Sequence, residues 1–260
     1  MELELRGKVA LVTGSNRGIG RSIAEALAAE GCQLMLTGRD EAALAATRAA
    51  IAALGARVEL HAADLRRDDA PAALAAATER AFGRLDILVN NAGATKRGDF
   101  LALSDADWQD GYALKFFAHV RLARAAWPML RQSGGSLVTI AGIGGRQPTA
   151  DFTIGGSVNA AAIAFTKALA DRGKDEGVQV NAVNPGHVDT DRMQHRLHAL
   201  MREEGLDEAA ARARYREILG ITRLGLPQDI GGLVAFIVSP RGRWLHGATI
   251  DMDGGQLSML

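Results

Sequence analysis

The stretch from Val9 to Gly20, V-A-L-V-T-G-S-N-R-G-I-G, limits what this chain can fold into more than any other. Val9 to Thr13 is a short run of β-branched and apolar residues, the pattern of a buried strand. Gly14, Gly18 and Gly20 follow, and Ser22 to Glu30 then carries an alanine-rich helical pattern. Strand, glycine turn and helix in that order aim backbone N–H groups and the positive end of a helix at a phosphate. Glycine suits the turn because a Cβ would hold the backbone away from a pyrophosphate. The spacing is G-x3-G-x-G, not the G-x-G-x-x-G of the general dinucleotide fingerprint, and a plain strand-to-helix turn without a ligand has the same local pattern.

Strand and helix patterns alternate from there to the end. Strands are expected at Gln33 to Thr37, Arg57 to Leu60, Asp86 to Asn90, Ser136 to Ala141, Val178 to Asn184 and Ala248 to Met252. Helices are expected at Glu41 to Ala53, Ala70 to Phe82, about Asp105 to Met129 (ended or kinked by Pro128), Gly156 to Asp171, and Pro227 to Val238. Met193 to Leu219 reads as two helices broken near Gly205. Such alternation implies one α/β domain over 1–260, a Rossmann-type doubly wound parallel sheet of about seven strands with helices on both faces. No repeat or linker interrupts it.

The 260 residues are 48% hydrophobic, enough for one large core. Thirty basic and thirty acidic residues cancel, so no overall field favours nucleic acid or an anionic membrane. Cys32, the sole cysteine, precedes an apolar strand and reads as a core thiol. There is no signal peptide and no run apolar enough to span a bilayer, so a cytoplasmic protein is expected.

The second strand ends in Thr37-Gly38-Arg39. An acidic residue at such a place commonly holds the adenosine ribose of NAD. Here Gly38 takes the acid's place, Arg39 follows, and Arg17 in the glycine turn lies close in this geometry. Two guanidiniums favour the 2′-phosphate of NADP(H) over NAD(H), unless both are merely solvated.

Several further motifs fall in order. The chain resembles the short-chain dehydrogenase/reductase family over essentially its whole length. Thr13-Gly14-x3-Gly18-Ile19-Gly20, with Asn16 and Arg17 inside it, is similar to that family's glycine turn. Asp64-Leu65 matches its adenine-binding acid, and Asn90-Asn91-Ala92-Gly93 its N-N-A-G. Asn184-Pro185-Gly186, with Val188 and Thr190, resembles the segment holding the nicotinamide amide, and Asp253-Gly254-Gly255 completes the set. The resemblance implies a cofactor site built from these residues, Arg39 and Asn159, a variable lid at about 190–220, and a homodimer or homotetramer. Small and apolar residues from Ala160 to Ala170, with the apolar tail Leu257 to Leu260, suit such an interface.

The family's catalytic side chains are missing. It carries a Ser after the fifth strand, a Tyr thirteen residues later, and a Lys four beyond that. Aligned on Phe165 to Ala170, these fall at Gly142, Gly155 and Asn159, and the family's catalytic Asn falls at Lys115. Neither Tyr112 nor Tyr215 has a Lys four residues later. The usual acid is therefore absent, a loss of about 10²–10⁴ in rate. Lys115 and Asn159 look like an exchange, with Lys115 offering charge to a substrate and Asn159 a ribose contact. Two empty positions should also leave room over the nicotinamide. His187 and Asp189 are alternative proton carriers, and Asp151 either faces the pocket or caps a helix. His195 and His198 lack a third partner, so no metal is expected. The resemblance implies an NADP(H)-dependent oxidoreductase on an unknown small carbonyl or alcohol substrate by a non-standard proton route; the alternatives are a silent cofactor-binding sensor or partner subunit and a non-redox lyase or hydrolase.

Overall fold

The computed structural model describes residues 2–258, so the last two residues of the apolar tail lie outside it. Seven strands form one parallel sheet: β1 (Val9–Thr13), β2 (Gln33–Thr37), β3 (Val58–Leu60), β4 (Ile87–Asn90), β5 (Ser136–Ile140), β6 (Gln179–Pro185) and β7 (Thr249–Met252). Their order is β3-β2-β1-β4-β5-β6-β7, which reverses direction between β1 and β4. At that switch the crossovers leave to opposite sides and open a crevice at the carboxyl ends of the strands.

Side-chain alternation builds a core on each face. Ala10, Val12, Leu34, Leu36, Val89, Val138 and Val183 pack on one side with α1 (Gly18–Ala29) and α9 (Pro227–Val238). Val9, Leu11, Met35, Leu88, Leu137 and Val180 face α3 (Ala70–Phe82) and α5 (Ala118–Ser133) on the other. Cys32 is wholly buried, and burial pushes its thiol up to about 12, so it is an inert core group. The remaining helices are α2 (Glu41–Ala52), α4 (Asp105–Tyr112), α6 (Thr153–Glu176), α7 (Asp191–Glu204) and α8 (Glu208–Leu219). Gly205, at φ +67°, separates α7 from α8, where the break was expected.

Three expectations need correction. Pro128 does not end its helix, which runs on to Ser133. Pro128 is on the exposed face, where water can take the carbonyl it leaves unpaired, while Met129 and Leu130 beyond it are buried. The real interruption is a π-helical turn at Ala113–Phe117. Finally, α6 begins at Thr153 and extends to Glu176, so Gly155 lies in its first turn. Its last turn holds through the pairs Lys174–Asp171 and Arg172–Glu176. Among the described residues, no helix is long and apolar enough to cross a membrane.

Candidate active site

A cleft of about 800 Å³ lies over the strand ends at the switch point. Gly14 and Gly18 bend the turn after β1 with φ of +63° and +54°. A Cβ on Gly20 would stand 2.2 Å from the Gly14 carbonyl oxygen, so only glycine lets α1 close against the turn. Arg17 precedes α1 without capping it by its side chain, which leaves the helix end open to an anion. Asn91 Nδ2 donates to the Thr13 carbonyl at 2.8 Å, and Thr13 Oγ1 accepts from the N–H groups of Asn91 and Ala92. The turn is thereby locked to the end of β4. This cradle fits a dinucleotide pyrophosphate.

At the end reached by β2, a Cβ on Gly38 would meet Asn16 Oδ1 at 2.9 Å, so Asn16 covers the place of an acidic side chain. Arg39 and Arg17 line the cleft there, and both are largely exposed. Arg39 Nη1 is 3.9 Å from Asp64 Oδ2, and Arg17 Nη1 is 3.7 Å from Asp191 Oδ2. Burial raises the Asp64 carboxyl, but hydrogen bonds and charge from Arg66, then the Arg39 charge, outweigh it and hold Asp64 below the usual range.

At the far end, the π-helical turn carries Lys115. Its stem lies against Gly93, where a Cβ would come within 2.8 Å of it, and Nζ donates to the Ala141 carbonyl at 2.8 Å. Burial, then the charge of Arg192, push the Lys115 ammonium down to about 7. Beside it Gly142 has φ +146°, a conformation that L side chains rarely adopt. Its N–H donates to Asn184 Oδ1 at 3.3 Å, and Asn184 Nδ2 donates to Asp251 Oδ1 at 2.8 Å. Asn159 is buried, and its Oδ1 has no partner among the described residues, which suits a hydroxyl donor such as a ribose.

The room expected above Gly155 is filled. A Cβ there would lie 2.0 to 2.5 Å from the ring atoms of Phe152. The Arg97 guanidinium stacks on that ring with Cζ 3.8 Å from its centroid, and Arg97 Nη1 donates to Asp151 Oδ2 at 2.6 Å. Asp151 also accepts from Thr149 Oγ1, so it anchors this stack rather than capping α6. An aromatic ring thus stands where the alignment places a tyrosine, without a hydroxyl.

Residues 14–256 match the family described as enoyl-(acyl carrier protein) reductase. The chain belongs to the short-chain dehydrogenase/reductase family. An uncharacterized oxidoreductase of Mycobacterium tuberculosis is 35% identical over 253 residues, covering 96% of this chain and 92% of the relative. A 3-oxoacyl-[acyl-carrier-protein] reductase of Escherichia coli is 32% identical over 257 residues, 97% of this chain and 98% of its own. Among solved structures, the L-sorbose reductase of Gluconobacter frateurii, complexed with NADPH and L-sorbose, superposes with a TM-score of 0.96 at 31% identity and full coverage of both chains.

Nearly all the residues singled out from sequence line one cleft: Gly14, Asn16, Arg17, Gly18, Ile19, Gly20, Arg39, Asp64, Leu65, Asn91, Ala92, Gly93, Lys115, Gly142, Asn159, Pro185, Gly186, Val188 and Thr190. Two do not. Asn90 is fully buried, with Nδ2 donating to the His119 carbonyl, and it ties β4 to α5. Gly155 lies behind Phe152. Asp189 is also outside the cleft, bound to Arg212 and Gln194 across α7 and α8, which removes it as a proton carrier. His187 does line it, with Nδ1 2.8 Å from Gln256 Oε1, and burial lowers its pKa. His195 faces the cleft and His198 does not, and among the described residues no trio is placed to hold a metal. Sequence reasoning missed Arg97, Phe152, Arg192 and Arg196. With Arg17 and Arg39, the missed arginines put five arginines beside Lys115 in the cleft lining. The one available signal was Phe152 three residues before Gly155, a large residue at the start of α6 and a small one in its first turn.

Proposed function

We propose that this chain is an NADP(H)-dependent short-chain oxidoreductase acting on a carbonyl or alcohol, with Lys115 as the proton carrier in place of the family's tyrosine. The observation that carries this is Lys115 itself, a largely buried amine lining the cleft between Gly93 and Gly142 with a pKa near neutrality. The glycine turn and the end of α1 would hold the pyrophosphate, Arg17 and Arg39 a 2′-phosphate, and Asp64-Leu65 the adenine. Asn159 would bond a ribose hydroxyl, and Pro185 to Thr190 the nicotinamide amide. When bound, the cofactor supplies a hydride to a carbonyl carbon. Lys115 Nζ then delivers a proton to the carbonyl oxygen, so the products are an alcohol, the oxidised cofactor and a neutral amine that is reprotonated from water. One N–H of Nζ is committed to the Ala141 carbonyl, which aims the others into the cleft. Screening aldehydes, ketones and quinones for NADPH oxidation tests the reading.

A second reading, a silent cofactor binder, is favoured by the Phe152 ring filling the tyrosine position. It gains if no carbonyl compound is reduced.

The same reading makes α7 and α8 a lid over the one domain. They pack on each other through Met193, Leu197 and Ala211, a cluster apart from the two main cores. NADPH should slow proteolysis between 190 and 220, and equal cleavage with and without it would contradict the lid. The chain is also expected to self-associate. Ala160, Ala164 and Ala168 form an exposed small stripe on α6, and Trp244 is 99% exposed. Sedimentation should give a dimer or tetramer at micromolar concentration, and a monomer would refute it.

A further inference from the structure

Three arginines of the cleft have no part in the cofactor contacts or in the proton transfer assigned above. They are Arg97, Arg192 and Arg196. Arg97 is held flat on Phe152 and braced by Asp151, while Arg192 Nη2 donates to the Gly93 carbonyl at 3.2 Å. Neither Arg192 nor Arg196 has a carboxylate partner among the described residues. The acids in the lining are Asp64, which pairs with Arg39 and Arg66, and Asp191, which pairs with Arg17. Arg192 and Arg196 lie one turn apart on α7, and with Arg97 they line the same cleft. Like charges gathered in one cleft are unfavourable unless an anion completes them. Arg192 bonds the Gly93 carbonyl at the head of the sheet and can serve the cofactor, whereas Arg97 is stacked on the Phe152 ring beside Gly155, where the family's tyrosine would stand, and Arg196 lies one helical turn beyond Arg192 on α7.

We infer that Arg97 and Arg196 form an oxyanion subsite, so that the substrate is a carbonyl compound bearing a carboxylate or phosphate group. Arg97 presents a rigid guanidinium edge beside the site over Phe152, suited to bidentate pairing with an oxyanion. Arg196, on α7, brings the second charge to the cleft. This rests on the oxidoreductase reading for the word substrate, but the subsite itself does not need turnover.

The test uses the full chain with NADP⁺ bound and calorimetric titration. The probes are 2-oxobutanoate, 3-oxobutanoate and 4-oxopentanoate, each beside its methyl ester, and dihydroxyacetone phosphate beside dihydroxyacetone. At least one anion should bind ten-fold or more tightly than its neutral partner. A preference confined to the carboxylates or to the phosphate identifies the head group. Arg196→Met, which removes no protein ion pair, should cut that preference at least five-fold while leaving NADP⁺ affinity within two-fold. Arg97→Met should do the same, and if it fails to fold, Arg196→Met decides. Equal affinity for every anion and its neutral partner, or an unchanged preference in Arg196→Met, overturns the inference. Preferential anion binding without any NADPH oxidation would overturn the reductase reading instead. Reduction of neutral ketones with no anion preference would do the reverse.

Discussion

Replacing Gly155 with alanine should destabilise the protein, although the position is helical and alanine is ordinarily the better helix former. The added Cβ would lie 2.0 to 2.5 Å from three atoms of the Phe152 ring, so the ring must leave its place. Overpacking of this kind costs about 1–3 kcal/mol. Moving the ring also breaks the Arg97 stack, which contributes about 0.5–1 kcal/mol at a partly exposed site. Alanine returns at most about 1 kcal/mol of helix propensity, and less in a first turn. The net expectation is a loss of about 1–2 kcal/mol, or a fall of about 2–8 °C in Tm for a chain of this size. In a Phe152→Ala background the obstacle is gone, and Gly155→Ala should become neutral or mildly stabilising. Urea denaturation of the parent, both single variants and the double variant measures the coupling. A Gly155→Ala protein as stable as the parent, with Phe152 present, would refute the claim that the ring occupies the tyrosine position. For the same reason Gly155→Tyr with Gly142→Ser should not restore ordinary chemistry, since φ at Gly142 is +146°.

Two further expectations follow from the charges. Arg39→Asp should weaken NADPH binding by about 10- to 100-fold, the value of one charge-assisted contact, and should narrow the gap to NADH; equal calorimetric affinities of the parent for both cofactors would contradict this. His119 is buried with Nε2 2.9 Å from the Ala92 carbonyl, and burial, then Lys115 against that bond, lower it to about 4. The folded state takes up this proton only near pH 4 and the unfolded state near 6.5, so stability is full above 6.5 and declines as pH falls toward 4. The loss should reach about 2 kcal/mol by pH 5, measured by urea denaturation against His119→Gln; parallel curves for the two proteins would remove His119 from the account.

The strands were legible because a parallel sheet buried on both faces needs continuous apolar runs, and Val9 to Thr13, Gln33 to Thr37 and Ile87 to Asn90 supply them between turn residues. The cofactor cleft was legible because its glycines answer to backbone geometry, which fixed spacing reveals. The π-helical turn was not, since a single turn of i→i+5 bonding across Ala113 to Phe117 leaves no periodic trace. Pro128 misled because propensity says nothing of Met129 and Leu130 buried beyond it. The substrate end was the least legible. Arg97, Phe152 and Arg196 come from separate segments, and only folding stacks Arg97 on Phe152 and brings Arg196 to the same cleft. Read as a sequence, Gly155 is an empty position; in the fold it is the space another side chain uses.

The pH dependence of turnover in the parent and in Lys115→Met tests the central claim most directly. With a carbonyl substrate found by screening against NADPH, reduction by the parent should be level below pH 7, where Lys115 holds its proton, and should fall about ten-fold per pH unit above it. Lys115→Met should lower kcat at neutral pH by about 10² or more with NADPH affinity nearly unchanged, as for a contact made in the transition state. A variant that turns over like the parent with the same pH profile would show that Lys115 carries no proton in this reaction.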